Sequence, residues 1–190
     1  MTSIRIREIG DPVLRRPTRP VPDDELASGE CQRFIDDLVE GMRQAAGAGI
    51  AANQVGDERR ICAIEVADNP RYPYKPPHPL TILVNPVITW MSDETSWNNE
   101  GCLSVPNLRG DLRRAIAVEI SCLDRAGAPV EHRFRGLTSG TAQHELDHLD
   151  GRLFVDRVED TTTLATWREF DLHQRERFTE HIRRVVEETT

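Results

Sequence analysis

A chain of 190 residues with 38% hydrophobic and 29% charged side chains carries enough apolar material for a buried core, and its 12 glycines and 12 prolines exclude a collagen-like, mucin-like or disordered chain. Its 24 basic residues against 32 acidic ones leave a net charge of −8, so general attraction to nucleic-acid phosphates is weak. No run of about 18 apolar residues marks a membrane span, and the Met-Thr-Ser-Ile-Arg opening lacks the apolar stretch of a secretory signal.

These features predict one cytoplasmic domain over residues 1–190, with Cys31, Cys62, Cys102 and Cys122 reduced. After an opening marked by Pro12, Pro17, Pro20 and Pro22, residues Phe34, Ile35, Leu38, Val39 and Met42 recur at the spacing of one helix face. They predict an amphipathic helix over 30–46, ended by Gly47 and Gly49. Alternation predicts strands over 60–66, 81–90 and 115–123. Residues 68–79, rich in proline and holding both tyrosines, read as an extended surface loop. Asp124-Arg125-Ala126-Gly127 is a turn signal, and a short strand over 130–134 would complete a hairpin. A helix follows from Leu137 to Leu149, stopped at Asp150-Gly151 by a left-handed glycine. In the tail, 164–188, Phe178, Ile182, Val185 and Val186 fall at helical spacing and predict a helix packed on the body.

The chemistry concentrates in three segments. Gln143-His144-Glu145-Leu146-Asp147-His148 sets two imidazoles four residues apart on a predicted helix, where they share a face and can share an ion, with Glu145 beside them to work on a bound water. The plain alternative is two surface histidines. A hydrolytic centre needs a third protein ligand and an open vertex. No histidine closes a glycine-marked run downstream, since His173 lies in another amphipathic segment. Upstream, Glu100-Gly101-Cys102-Leu103-Ser104 offers a thiolate, against the ordinary use of cysteine as a small buried hydrophobe. Gly47-Ala48-Gly49-Ile50-Ala51-Ala52-Asn53-Gln54 combines small residues, which admit a substrate backbone, with an amide able to donate to an oxyanion. The alternative there is a helix stop and a tight turn, and the absence of a following Lys-Ser/Thr argues against a phosphate loop.

Together the three segments resemble the peptide deformylase family, whose motifs run Gly-x-Gly-x-Ala-Ala-x-Gln, Glu-Gly-Cys-x-Ser and Gln-His-Glu-x-Asp-His in this order. All three are complete here, at 47–54, 100–104 and 143–148. The resemblance implies an α+β fold, with antiparallel or mixed β-sheets around a central helix carrying HExxH and a C-terminal helix. It implies Cys102, His144 and His148 as ligands of one divalent ion, natively Fe2+, with Zn2+, Ni2+ or Co2+ as replacements in a purified sample. Glu145 would be the general acid and base, and Gln54 with the backbone N–H of Leu103 would form the oxyanion hole. The backbone around Gly49, Ile50 and Gly101 would pair with an extended substrate. The implied reaction removes the formyl group from the N-terminal formyl-methionine of new bacterial proteins and releases formate. The implied partners are formyl-methionyl nascent peptides, with the C-terminal helix as a candidate ribosome contact. No direct nucleic-acid partner and no membrane are implied.

Two stretches depart from that pattern. Val105-Pro106 is followed by Asn107-Leu108 where many members continue with glycine and an aromatic residue. Residues 137–142 place Gly140 and Thr141 where the family usually has bulky apolar residues lining a methionine pocket, which predicts a roomier pocket and flatter selectivity. Three rival readings share the residues: a metalloamidase or protease acting on another amide, a structural Cys-His-His module, and a cysteine hydrolase with Cys102 as nucleophile and His144 as base.

Overall fold

The computed structural model describes residues 4–67 and 74–189. The first helices are α1 (Asp23–Ala27) and α2 (Gly29–Gln44), with the Ser28 hydroxyl capping α2 by accepting from the Cys31 N–H at 3.1 Å. The periodic residues Ile35, Leu38, Val39 and Met42 are buried against Ile50, Ile61, Ala63 and Val84, which makes α2 the cover of one sheet face. The helix stops at Gln44 rather than residue 46, because Ala46 already has a φ of 51° and turns the chain toward Gly47.

Strands β1 (Gly49–Ala51), β2 (Ile61–Val66), β3 (His78–Met91), β4 (Thr95–Cys102), β5 (Val105–Ala115), β6 (Ala117–Leu123) and β7 (Pro129–Arg135) form two sheets. One has five strands in the order β1-β2-β3-β6-β7, and the other is the β4-β5 pair. Every strand pair is antiparallel. The expected strands at 60–66, 81–90 and 130–134 and the turn between 124 and 127 are present. The expected strand over 115–123 is in fact the end of β5 and all of β6, separated at Ile116. The helix stop and tight turn expected after residue 46 contain a strand as well: Gly49–Ala51 pairs with β2 and lies at the sheet edge.

Helix α3 (Gly136–Leu149) carries HExxH through the centre of the molecule, and only Thr138 and His144 of its residues escape full burial. Ala142, Leu146 and Leu149 pack on Cys62, Ile64, Leu83, Val118 and Ile120 of the large sheet. Leu137 packs instead on Ala165, Phe170, Phe178 and Ile182. The tail thus folds onto the body as α4 (Trp167–His173) and α5 (Arg175–Thr189), two helices divided at Gln174 rather than one. Gly151, at φ 75°, ends the HExxH segment as its sequence predicted. The expected surface loop at 68–79 departs from expectation over 74–79. Residues 78–79 already belong to β3, Tyr74 and Lys75 turn inward, and 68–73 lie outside the described residues.

All four cysteines are buried and unbridged. Among the described residues no helix is long and apolar enough to cross a membrane.

Leu38 is fully buried between α2 and the sheet. Leu38→Ala is expected to destabilise the fold by about 2–5 kcal/mol, read as a lowered denaturant midpoint with an unchanged slope.

Candidate active site

The three chemical segments converge because α3 lies between the edge strand β1 and the β4-β5 hairpin. The ligand-type atoms of Cys102, His144 and His148 all lie within 4.8 Å of one another, with Cys102 Sγ 3.1 Å from His148 Nε2. A four-coordinate ion with bonds of about 2.0–2.3 Å needs donor atoms roughly 3.5 Å apart, so this thiol and two imidazoles fit a divalent metal. His144 Nδ1 lies 2.8 Å from Glu100 Oε2, which commits that nitrogen and leaves Nε2 for an ion. Burial, with His144 beside it, holds the His148 imidazole well below its usual pKa, in the neutral form that donates a lone pair. Burial also opposes charge on His144, but hydrogen bonds to Cys102 and Glu100 outweigh it and raise its pKa well above the usual value. A proton held between a thiol and an imidazole is one that a metal displaces.

Glu100 belongs to a buried chain of charges. Arg114 donates from Nε and Nη2 to its two carboxylate oxygens at 2.9 Å each, and from Nη1 to Asp147 Oδ2 at 2.6 Å. Arg157 donates to both oxygens of Asp147. Burial disfavours the Glu100 carboxylate, yet Arg114 and His144 overcome that cost and keep its pKa far below the usual range. Gln143 adds a polar clamp on α3, its Nε2 donating to Ala115 O at 2.9 Å while its Oε1 accepts from Ala115 N at 3.2 Å.

Glu145 sits in an opposite environment. It is buried, its Oε2 has no hydrogen-bond partner, and burial pushes its pKa up to about 7 against the pull of His144 and Lys75. Its carboxylate presses on β1, where a Cβ added at Gly49 would lie 2.3 Å from Oε1, so only glycine fits there. The Gln54 amide is fixed by Oε1 accepting from Ala51 N at 2.8 Å, which aims Nε2 at Ser104 Oγ (3.1 Å) and Cys102 Sγ (3.6 Å).

A cleft of about 630 Å³, open mouth included, takes its walls from Gly49, Gln54, Gly101, Cys102, Leu103, His144 and Glu145. Two sequence-predicted positions lie behind its wall: His148 is the fully buried member of the ligand set, and the side chain of Ile50 belongs to the core, leaving only its backbone at the sheet edge. Sequence reasoning assigned no role to Glu100, Asp147, Arg114, Asn98 or Lys75. The first two stand inside the recognised motifs, and the others carry no motif signal.

The chain is similar to known proteins in sequence and in overall fold. The family described as polypeptide deformylase matches residues 4–163. The chain is 42% identical to peptide deformylase 2 of Pseudomonas putida over 155 residues, covering 82% of this chain and 87% of that one. It is 38% identical to peptide deformylase 2 of a Nostoc species over 165 residues, covering 87% and 91% respectively. Among solved structures, the Met-Ala-Ser-bound class I type b peptide deformylase of Acinetobacter baumannii superposes with a TM-score of 0.80 at 37% identity, covering 83% of this chain and 99% of that one. The Thermotoga maritima peptide deformylase superposes at 0.75 with 31% identity, covering 84% and 100%.

Replacing Arg114 by methionine would strand Glu100 without its cation. The expected cost is about 3–5 kcal/mol of stability, measured by chemical denaturation, and a cost under about 1 kcal/mol would show that solvent or Arg157 takes over the pairing.

Proposed function

Because the chain belongs to the peptide deformylase family, we propose that it hydrolyses the formamide at the N-terminus of formyl-methionyl peptides to formate and a free amine, through the residues gathered around its cleft. The observation that carries this reading is the placement of Glu145: a buried carboxylate with an unpartnered oxygen, adjoining a Cys102-His144-His148 cradle.

The cradle would hold one divalent ion, for which family resemblance implies Fe2+ with Zn2+, Ni2+ or Co2+ as substitutes. When bound, such an ion lowers the pKa of a coordinated water and polarises a carbonyl. Glu145 takes a proton from the attacking water and delivers it to the departing amine nitrogen, a double role that a pKa near neutrality suits. The water oxygen joins the formyl carbon, the C–N bond breaks, and the oxygen remains in formate. Gln54 Nε2 and the backbone N–H of Leu103 donate to the formyl oxygen as negative charge develops on it. The substrate backbone runs along the edge of β1 at Gly49 and Ile50 and along Gly101, adding a strand where the sheet offers unpaired groups. Action on nascent chains would place the protein in the bacterial cytoplasm. The apolar stripe of α5 packs inward through Phe178, Ile182 and Val185, so any ribosome contact would use its charged face.

The test is formate release from formyl-Met-Ala-Ser by anaerobically metal-loaded enzyme. Glu145→Gln is expected to retain the ion and lose nearly all turnover, whereas Gln54→Ala is expected to lower kcat by about 10²–10³-fold. Chelation should abolish activity and added ion restore it. Full activity after chelation would instead favour Cys102 as a nucleophile.

A further inference from the structure

We propose that Phe178, on the C-terminal helix α5, is a specificity-determining residue of the cleft: with Leu137 and Tyr74 it closes the pocket that seats the side chain of the formylated residue, and so favours the thioether of methionine. This rests on the deformylase reading and names within it the residue that sets selectivity.

The α-carbon of the reacting residue is separated from the formyl carbon only by the amide nitrogen, so the walls next to Glu145 must house its side chain. On one side of the cleft Gly47, Gly49 and Gly101 leave room for a peptide backbone. The opposite wall follows α3 back from His144, through Thr141, Gly140 and Leu137 at helical spacing on one face. An unbranched side chain laid along that face from the reacting centre passes Thr141 and Gly140 and runs toward Leu137 and the rings beside it.

The α3 face has little apolar surface of its own at these positions. A Cβ at Gly140 would lie 2.5 Å from Asn98 Nδ2, so a carboxamide holds the space that the absent side chain leaves. Thr141 Oγ1 accepts from Lys75 Nζ at 2.9 Å and donates to Leu137 O at 3.0 Å, which commits the hydroxyl within the protein. The apolar area comes instead from Leu137, Tyr74 and Phe178, which all border the cleft. Phe178 is 2% exposed and packs with Leu137, Phe170 and Ile182. Its ring meets that of Tyr74 edge to face at 5.2 Å, and its position is fixed by Trp97 at 5.5 Å and Phe170 at 5.8 Å. Arg109 Nη2 donates to the Tyr74 hydroxyl at 3.4 Å, so the second ring is tethered as well.

Perpendicular rings suit a thioether, because sulfur is polarisable and gains from aromatic contact, and an unbranched chain adapts to reach them. The ring that does this comes from outside the region shared with the family, whose match ends at residue 163. Bulk missing from α3 at 140 and 141 is thus supplied by the tail. A segment that the sequence marks only as a helix packed on the body takes part in the site.

The experiment measures kcat/KM by formate release for formyl-Met-Ala-Ser and formyl-Ala-Ala-Ser, using metal-loaded wild type, Phe178→Ala, Phe178→Leu and Ile182→Ala. Wild type is expected to favour the methionine peptide by about tenfold or more. F178A is expected to lower that ratio by about fivefold and F178L by about twofold, because each removes the ring that the side chain touches. Ile182 belongs to the same apolar cluster but stands off the cleft wall, so I182A is expected to lower Tm and leave the ratio unchanged. The ratio is independent of any misfolded fraction, and F178L decides the matter should F178A not fold. No wild-type preference for methionine, a ratio unchanged in the folded Phe178 variants, or an equal fall in I182A would overturn the proposal. Formate from neither peptide would refute the deformylase reading itself.

Discussion

Arg114 donates to both oxygens of Glu100 on β4 and to Asp147 on α3, so one buried guanidinium fixes the hairpin that carries Cys102 against the helix that carries His144 and His148. Burying charge is costly, and such a network adds little net stability compared with a well-packed apolar alternative. Its contribution is register. Glu100 reaches His144 only where Arg114 puts it, and Asp147 locks the same turn of helix from the other side with Arg157 as its second cation. Two carboxylates face two guanidiniums, Arg114 buried between them and Arg157 closing the network from the surface.

The same cation explains how neighbouring carboxylates in one cleft come to differ. Glu100, held by Arg114, stays ionised and serves to orient an imidazole. Glu145 has no such partner on its outer oxygen, and burial moves it toward neutrality, where a group can both take and give a proton. The division depends on which carboxylate the hairpin presents to the arginine, and so on the pairing of β4 with β5, where Glu100 stands opposite Gly110.

The helices and most strands of the large sheet were readable from sequence because their apolar residues form a pattern: Ile35, Leu38, Val39 and Met42 on one face of α2, near alternation in β6, and an almost continuous buried run in β2. The motif residues were readable because metal and amide chemistry restrict residue type. The β4-β5 hairpin was not. A strand that faces a polar site buries Asn98, Asn99, Arg109 and Arg114, which read as surface residues until their partners are known. Arg109 shows the point: its guanidinium lies 4.1 Å from the Trp167 ring and 4.3 Å from the Phe170 ring, in the corner of two nearly perpendicular rings from a segment far downstream. Lys75 was hidden for the same reason, being a charged residue in a proline-rich stretch that folds inward. The divided tail escaped notice because the apolar stripe of Phe178, Ile182, Val185 and Val186 lies wholly in the second helix and carries no mark of the break at Gln174.

Gly49 and Gly140 show why small residues near a site need not mean space. At each position the volume of a missing side chain is taken by a polar group from another element, the Glu145 carboxylate in one case and the Asn98 amide in the other. Removing a Cβ therefore changes the chemistry of the wall more than its size. A glycine read from sequence as widening a pocket predicts weaker apolar contact. The same glycine read in the fold has a carboxamide standing where that side chain would have been.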